Sequence, residues 1–166
     1  MKKFVVLGCA AMLIGVTAMA IPSVPAPFQV RLVATDLIQP KGIEATPHGT
    51  GVGPAGHDLY IAESGANRIV KIDPATGDMI PIANTLGGFP VGIRVNGGPF
   101  GQNLFIGDAY GGGVECMDFD GACTPFAISS RSAAGMDFGR GAFGNDLYVG
   151  EWAMGNIWRV DREGNA

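Results

Sequence analysis

The chain has 166 residues, 15 acidic against 11 basic side chains, and a formal net charge of −4. No basic run or patch interrupts that balance, which excludes nucleic acid as a partner, because such binding rests on Lys and Arg neutralising phosphates. Only 16% of residues are charged, 27 are glycine, and no long helical periodicity is present, so the composition suits an all-β protein with many tight turns.

Residues 1–20 read as a secretory signal peptide. Lys2 and Lys3 supply the basic start, residues 4–16 the apolar core, and Ala18-Met19-Ala20 the small-x-small cleavage site. The apolar run is too short for an integral membrane span. Leu7-Gly8-Cys9 resembles a lipobox loosely, but the eight residues before Cys9 leave no room for an apolar region, so ordinary export is expected. Cleavage near Ala20 places the product in a secreted or periplasmic location and makes it two charges more negative. Residues 21–27 hold three prolines and read as an extended lead-in. In residues 28–34, Phe28, Val30, Leu32 and Ala34 alternate onto one face, which predicts a strand.

The rest of the chain repeats. The run Gly56-His57-Asp58-Leu59-Tyr60-Ile61-Ala62-Glu63 returns as Gly101-Gln102-Asn103-Leu104-Phe105-Ile106-Gly107-Asp108. It returns again as Gly144-Asn145-Asp146-Leu147-Tyr148-Val149-Gly150-Glu151. Leucines 45 and then 43 residues apart, with no helix pattern between them, mark β-propeller blades. Each copy is preceded by an inner strand: Pro40-Lys41-Gly42-Ile43-Glu44, Pro90-Val91-Gly92-Ile93-Arg94, and Ala134-Gly135-Met136-Asp137. The spacing predicts blade 1 over about 40–86, blade 2 over about 90–130 and an incomplete blade 3 over about 134–166. Pro81 falls in the fourth strand of blade 1, where a sheet edge tolerates it. Propellers have about four to eight blades, so a partial or truncated propeller is expected, with self-association through its open blade edge as one consequence.

Cys116 and Cys123 flank Asp120-Gly121, a hairpin signal that sets them on facing strands. A two-residue loop and a bulged three-residue loop pair different positions, so the register stays open. In an oxidising exterior a structural disulfide between them is expected.

The segments from Leu59 to Ile69 and from Asp146 to Asp161 resemble the repeat of the NHL propellers and of the gluconolactonase-like (senescence marker protein-like) six-bladed propellers. The resemblance spans nearly all of the chain after the leader and speaks to fold. It implies an N-terminal part of such a propeller, and in the gluconolactonase-like enzymes a divalent ion held by Glu, Asn and Asp from different blades. Of such a set only Glu44 has a loose counterpart here.

Candidate residues fall into two groups. Glu63, Asp108 and Glu151 end the second strand of each blade. They either converge to hold Ca²⁺ or another divalent cation, or each accepts hydrogen bonds in its own turn, as a residue present in every blade does. Glu44, Arg94 and Asp137 share one inner-strand position and differ in charge, as a ligand site grafted on a repeat would. Trp152, in a turn, is a candidate stacking surface for a sugar or peptide, and Trp158 is expected to pack between blades. His48 and His57 lie in a Gly/Pro-rich loop without an acid partner or a metal-ligand spacing. The expected function is an exported module binding a small molecule, glycan or protein through the central face of the propeller. The alternative is a divalent-metal-dependent lactonase or esterase of the gluconolactonase-like kind.

Overall fold

Each copy of the repeat folds into one antiparallel meander. The computed structural model describes residues 31–45, 58–73, 76–96, 100–128 and 132–166. Val33–Ala166 form one structural unit; of the other, Met1–Leu32, only Arg31 and Leu32 are described. The expected leader, lead-in, His48 and His57 lie outside the described residues.

The first sheet runs Pro40–Ala45 (β1), Leu59–Glu63 (β2), Arg68–Ile72 (β3) and Met79–Asn84 (β4), in spatial order β1-β2-β3-β4. The second repeats that order with Pro90–Asn96 (β5), Asn103–Asp108 (β6), Gly113–Met117 (β7) and Cys123–Ala127 (β8). The third holds Ala133–Phe138 (β9), Leu147–Glu151 (β10) and Ile157–Val160 (β11). No α-helix occurs among the described residues. The outer strands β4 and β8 carry Pro81 and Pro125, both exposed, on edges where a missing N–H costs no ladder bond.

The period-2 alternation of each strand sends apolar side chains to both faces of a blade, and the faces close on one another. Tyr60, Ala62 and Ile69 of blade 1 meet Ile93, Leu104, Ile106 and Met117 of blade 2. On the far side of blade 2, Phe105 and Val114 meet Met136, Leu147, Val149 and Val160 of blade 3. The innermost strands β1, β5 and β9 lie side by side. Their approach is close enough to require glycine. A Cβ on Gly42 would stand 2.7 Å from the Val91 carbonyl oxygen, and one on Gly92 would run into that of Ala134. The equivalent Gly135 faces open space.

Two expectations are corrected. The strand expected over 28–34 carries no ladder in its described part, residues 31–34. Val33, Ala34 and Leu37 instead lay their side chains over Ile61, Val70 and Ile72 of blade 1, so the apolar pattern is used for packing rather than for pairing. The disulfide is not formed; Cys116 and Cys123 are both free thiols. They do sit on facing strands, but Met117 pairs with Cys123 and Cys116 with Thr124. That offset of one residue turns the thiols to opposite faces of the sheet. Cys123 packs toward blade 1 and Cys116 toward blade 3. The Cys123 thiol donates to Glu115 Oε2 at 3.1 Å, and burial together with that carboxylate pushes it up to about 12.

Candidate ligand-binding site

The position of the repeated acids fixes what remains for function. Glu63, Asp108 and Glu151 are all buried. Glu63 accepts from the Ile38 N–H at 2.6 Å and from the Arg68 guanidinium. Asp108 accepts from the N–H groups of Phe89 at 2.6 Å and Tyr110 at 2.8 Å. Glu151 accepts from Asn156 Nδ2 and from the Trp158 indole, both at 2.9 Å. In blades 1 and 2 the acid therefore clips the segment leading into the innermost strand onto the end of the second strand. Glu115 clips the same connection from outside, accepting from Leu86 and Gly87 N–H at 3.0 and 2.6 Å. Of the two alternatives for Glu63, Asp108 and Glu151, each acid accepts hydrogen bonds within its own blade, and the three do not assemble a common Ca²⁺ site. Among the described residues no three His, Cys, Asp or Glu side chains are grouped to hold a metal ion.

Glu44, Arg94 and Asp137 are brought together. They stand at matching register positions, opposite Tyr60, Phe105 and Tyr148 of the second strands. Because β1, β5 and β9 are neighbours, matching positions become a row across three blades. Arg94 Nη1 lies 3.4 Å from Glu44 Oε2, and Arg94 Nε lies 3.5 Å from Asp137 Oδ1. The guanidinium is anchored by a 2.7 Å bond from Nη1 to the Ile93 carbonyl. Arg140, two residues beyond β9, acts on Glu44 electrostatically, so the row and this neighbour together hold two acids and two bases.

Burial is the largest influence on Glu44 and raises its pKa above 4.5, with Asp137 adding to the rise while Arg94 and Arg140 oppose it. The fold thus favours the protonated form, and ionising Glu44 lowers stability as pH climbs from 4.5 through the raised value. Thermal melts of Glu44→Gln and wild type from acid to neutral pH are expected to coincide below 4.5 and to separate above it, the variant being the more stable. A wild type more stable than Glu44→Gln at neutral pH would show that the pairing with Arg94 outweighs desolvation.

Trp152 is not part of this row. It follows Glu151, which lies opposite Ala133 at the start of β9, whereas Asp137 sits four residues further along, roughly 13 Å of strand away. Trp152 lies instead in a cleft with Ala109, Tyr110, Ser132 and Ala153. Trp158 packs between blades 2 and 3, as expected. Two residues of interest carried no signal in the repeat. Arg140 follows a strand in a loop, and Tyr110 stands in a turn with no aromatic at the equivalent positions, Gly65 and Ala153. Comparing the residues that follow each repeated acid would have found Tyr110.

No family model matches the chain, and no curated protein matches it. Solved structures do. A catalytically inactive virginiamycin B lyase from Staphylococcus aureus with quinupristin is 22% identical, with a TM-score of 0.59 over 75% of this chain and 39% of that one. A gluconolactonase from Xanthomonas campestris is 22% identical, with a TM-score of 0.55 over 76% of this chain and 38% of that one. A PQQ-bound aldose sugar dehydrogenase from Streptomyces coelicolor is 19% identical, with a TM-score of 0.56 over 81% and 48%. The chain thus spans less than half the length of each. At these identities the likeness is one of fold, and the three activities named differ, so chemistry must be argued from the site. The stacked meanders, the adjacent inner strands and these likenesses agree: the chain has the β-propeller fold, with three blades among its described residues.

Proposed function

We propose that the chain is an exported binding module that takes a small, neutral, hydroxyl-rich molecule where Glu44, Arg94 and Asp137 meet. The observation that carries this reading is the row itself. At an inner-strand position where the three blades differ, a base has one acid 3.4 Å from it on one side and another 3.5 Å from it on the other. The carboxylates accept from hydroxyl groups and the guanidinium donates to hydroxyl or ring oxygens. With Arg140 the charges balance, which suits a neutral ligand better than an ion. Asp137 also edges a cavity of about 500 Å³ lined by Phe138, Arg140, Phe143, Tyr148 and Ile157, a size suited to a small molecule. Export rests on the signal-like residues 1–20, and kinship with the NHL or gluconolactonase-like propellers on the repeated Leu-aromatic-β-branched run.

Titration calorimetry against simple sugars, sugar alcohols and sugar lactones tests the reading. Binding by the wild type should weaken by about tenfold or more in Arg94→Ala, since a hydrogen bond to a charged group contributes about 1.5–3 kcal/mol. No binding across the panel, or equal binding by the variant, overturns it.

The alternative, a divalent-metal lactonase or esterase, rests on Glu44 as an inner-strand carboxylate. The described residues do not fit it: the Arg94 guanidinium stands between the Glu44 and Asp137 carboxylates, and no three His, Cys, Asp or Glu side chains are grouped there among the described residues. Calcium-dependent thermal stabilisation together with lactone hydrolysis would replace the binding reading with this one.

A further inference from the structure

The turns at the other end of the stack hold two aromatic rings that the repeat does not explain. Tyr110 and Trp152 are 69% and 65% exposed, yet they line one cleft of about 400 Å³ with Ala109, Ser132 and Ala153. The positions after the repeated acid read Ser64-Gly65 in blade 1, Ala109-Tyr110 in blade 2 and Trp152-Ala153 in blade 3. Each ring is therefore an individual feature of its blade rather than part of the blade's own packing. Both are held on fixed backbone. The Ala109 N–H donates to the Phe89 carbonyl at 3.1 Å and the Tyr110 N–H to Asp108, while the Phe89 ring backs Tyr110 with centroids 4.5 Å apart. The Trp152 N–H donates to the Ser132 carbonyl at 3.1 Å. Backed by Phe89, the Tyr110 ring loses little freedom on binding.

We infer that this cleft is a carbohydrate-binding site, distinct from the Glu44–Arg94–Asp137 row, and that it takes β-linked gluco-configured sugars. An aromatic ring offers a flat apolar face, and its partner must offer one too. A β-linked glucose or N-acetylglucosamine ring holds its substituents equatorially, so both of its faces present only C–H groups while its hydroxyls point outward. Ser132 lines the cleft where such an outward hydroxyl can be met. Sugars with an axial hydroxyl interrupt one face and stack less well.

Trp152 is one of two tryptophans, so the part of a ligand-dependent emission change that Trp152→Phe removes reports on the cleft. Titration of the full chain with a β-linked glucose trisaccharide and a β-linked N-acetylglucosamine trisaccharide should give a saturable change in emission for at least one. The affinity, followed by calorimetry, should fall roughly tenfold in Trp152→Ala and measurably in Tyr110→Ala, and recover in part in Trp152→Phe. Any sugar binding that Arg94→Ala weakens should be unaffected by Trp152→Ala, which separates this site from the row of charges. An α-linked glucose trisaccharide should bind more weakly. Absence of a saturable change with both β-linked sugars, equal affinity for the α-linked one, or unchanged binding in Trp152→Ala each overturns the assignment.

Discussion

Phe105→Ala is expected to cost the fold about 3–5 kcal/mol, the range for removing a fully buried phenyl ring. The ring is 1% exposed and sits at the middle of a cluster, with centroids 5.8 Å from Phe100, 5.1 Å from Phe126 and 5.5 Å from Phe138. Phe100 and Phe126 are joined to the cluster by their own edge contacts, so the neighbours cannot close the gap without giving those up. Against a typical total stability of about 5–15 kcal/mol, the loss is a large fraction. Denaturant unfolding should show a much lower midpoint with an unchanged slope. Tyr148 occupies the equivalent position in blade 3 and is only partly buried, so Tyr148→Ala should cost clearly less. Equal losses would mean that Phe105 is not packed as described.

Gly92→Ala is the second large effect, and its cause is the opposite, excess volume rather than lost volume. The backbone of Gly92 is not in the left-handed region, so the objection to a side chain is purely one of space. An added methyl would meet the Ala134 carbonyl oxygen, backbone that moves only if β5 and β9 part. Overpacking costs about 1–3 kcal/mol and occasionally more; because the obstacle here is backbone, a loss of about 3 kcal/mol and about 10 °C in Tm is expected. Gly135→Ala supplies the matched control. The same chemical change at the same blade position meets open space and should leave Tm nearly unchanged. If the two variants melt alike, close approach of the inner strands is not why Gly92 is glycine.

Much of this architecture was legible because one physical signal repeats. Leu59, Leu104 and Leu147 mark strands whose alternation has only one way to bury both faces, and glycine or Asp-Gly turns separate them. The row of Glu44, Arg94 and Asp137 was legible for a related reason: equivalent positions on innermost strands become neighbours once blades stack. What a repeat cannot express was missed. The loop 118–122, closed by the Asp118 N–H to the Ala122 carbonyl at 3.1 Å, decided which face each cysteine takes, and Asp-Gly alone is compatible with several loop lengths. The stretch 28–34 has the pattern of a strand, but its Val33 and Ala34, with Leu37 beyond, lie over a blade face instead of beside an edge. Arg140 acts from a loop, where no periodicity points to it. The use of the repeated acids, by contrast, was legible, since a residue present in every blade serves the blade: Glu63 and Asp108 each bind the segment entering their own blade, and Glu151 binds the Asn156 and Trp158 side chains.

The carboxylate clip also bears on how such a chain diversifies. In blades 1 and 2 a duplicated blade carries with it both the acid and the backbone that the acid holds, so this part of the closure travels with the copy. Divergence after duplication is then confined by that internal debt at one end of the second strand and is free elsewhere. The inner-strand row and the two turns bearing Tyr110 and Trp152 are among the places where the three copies differ, and positions of that kind can change while the closure is left untouched.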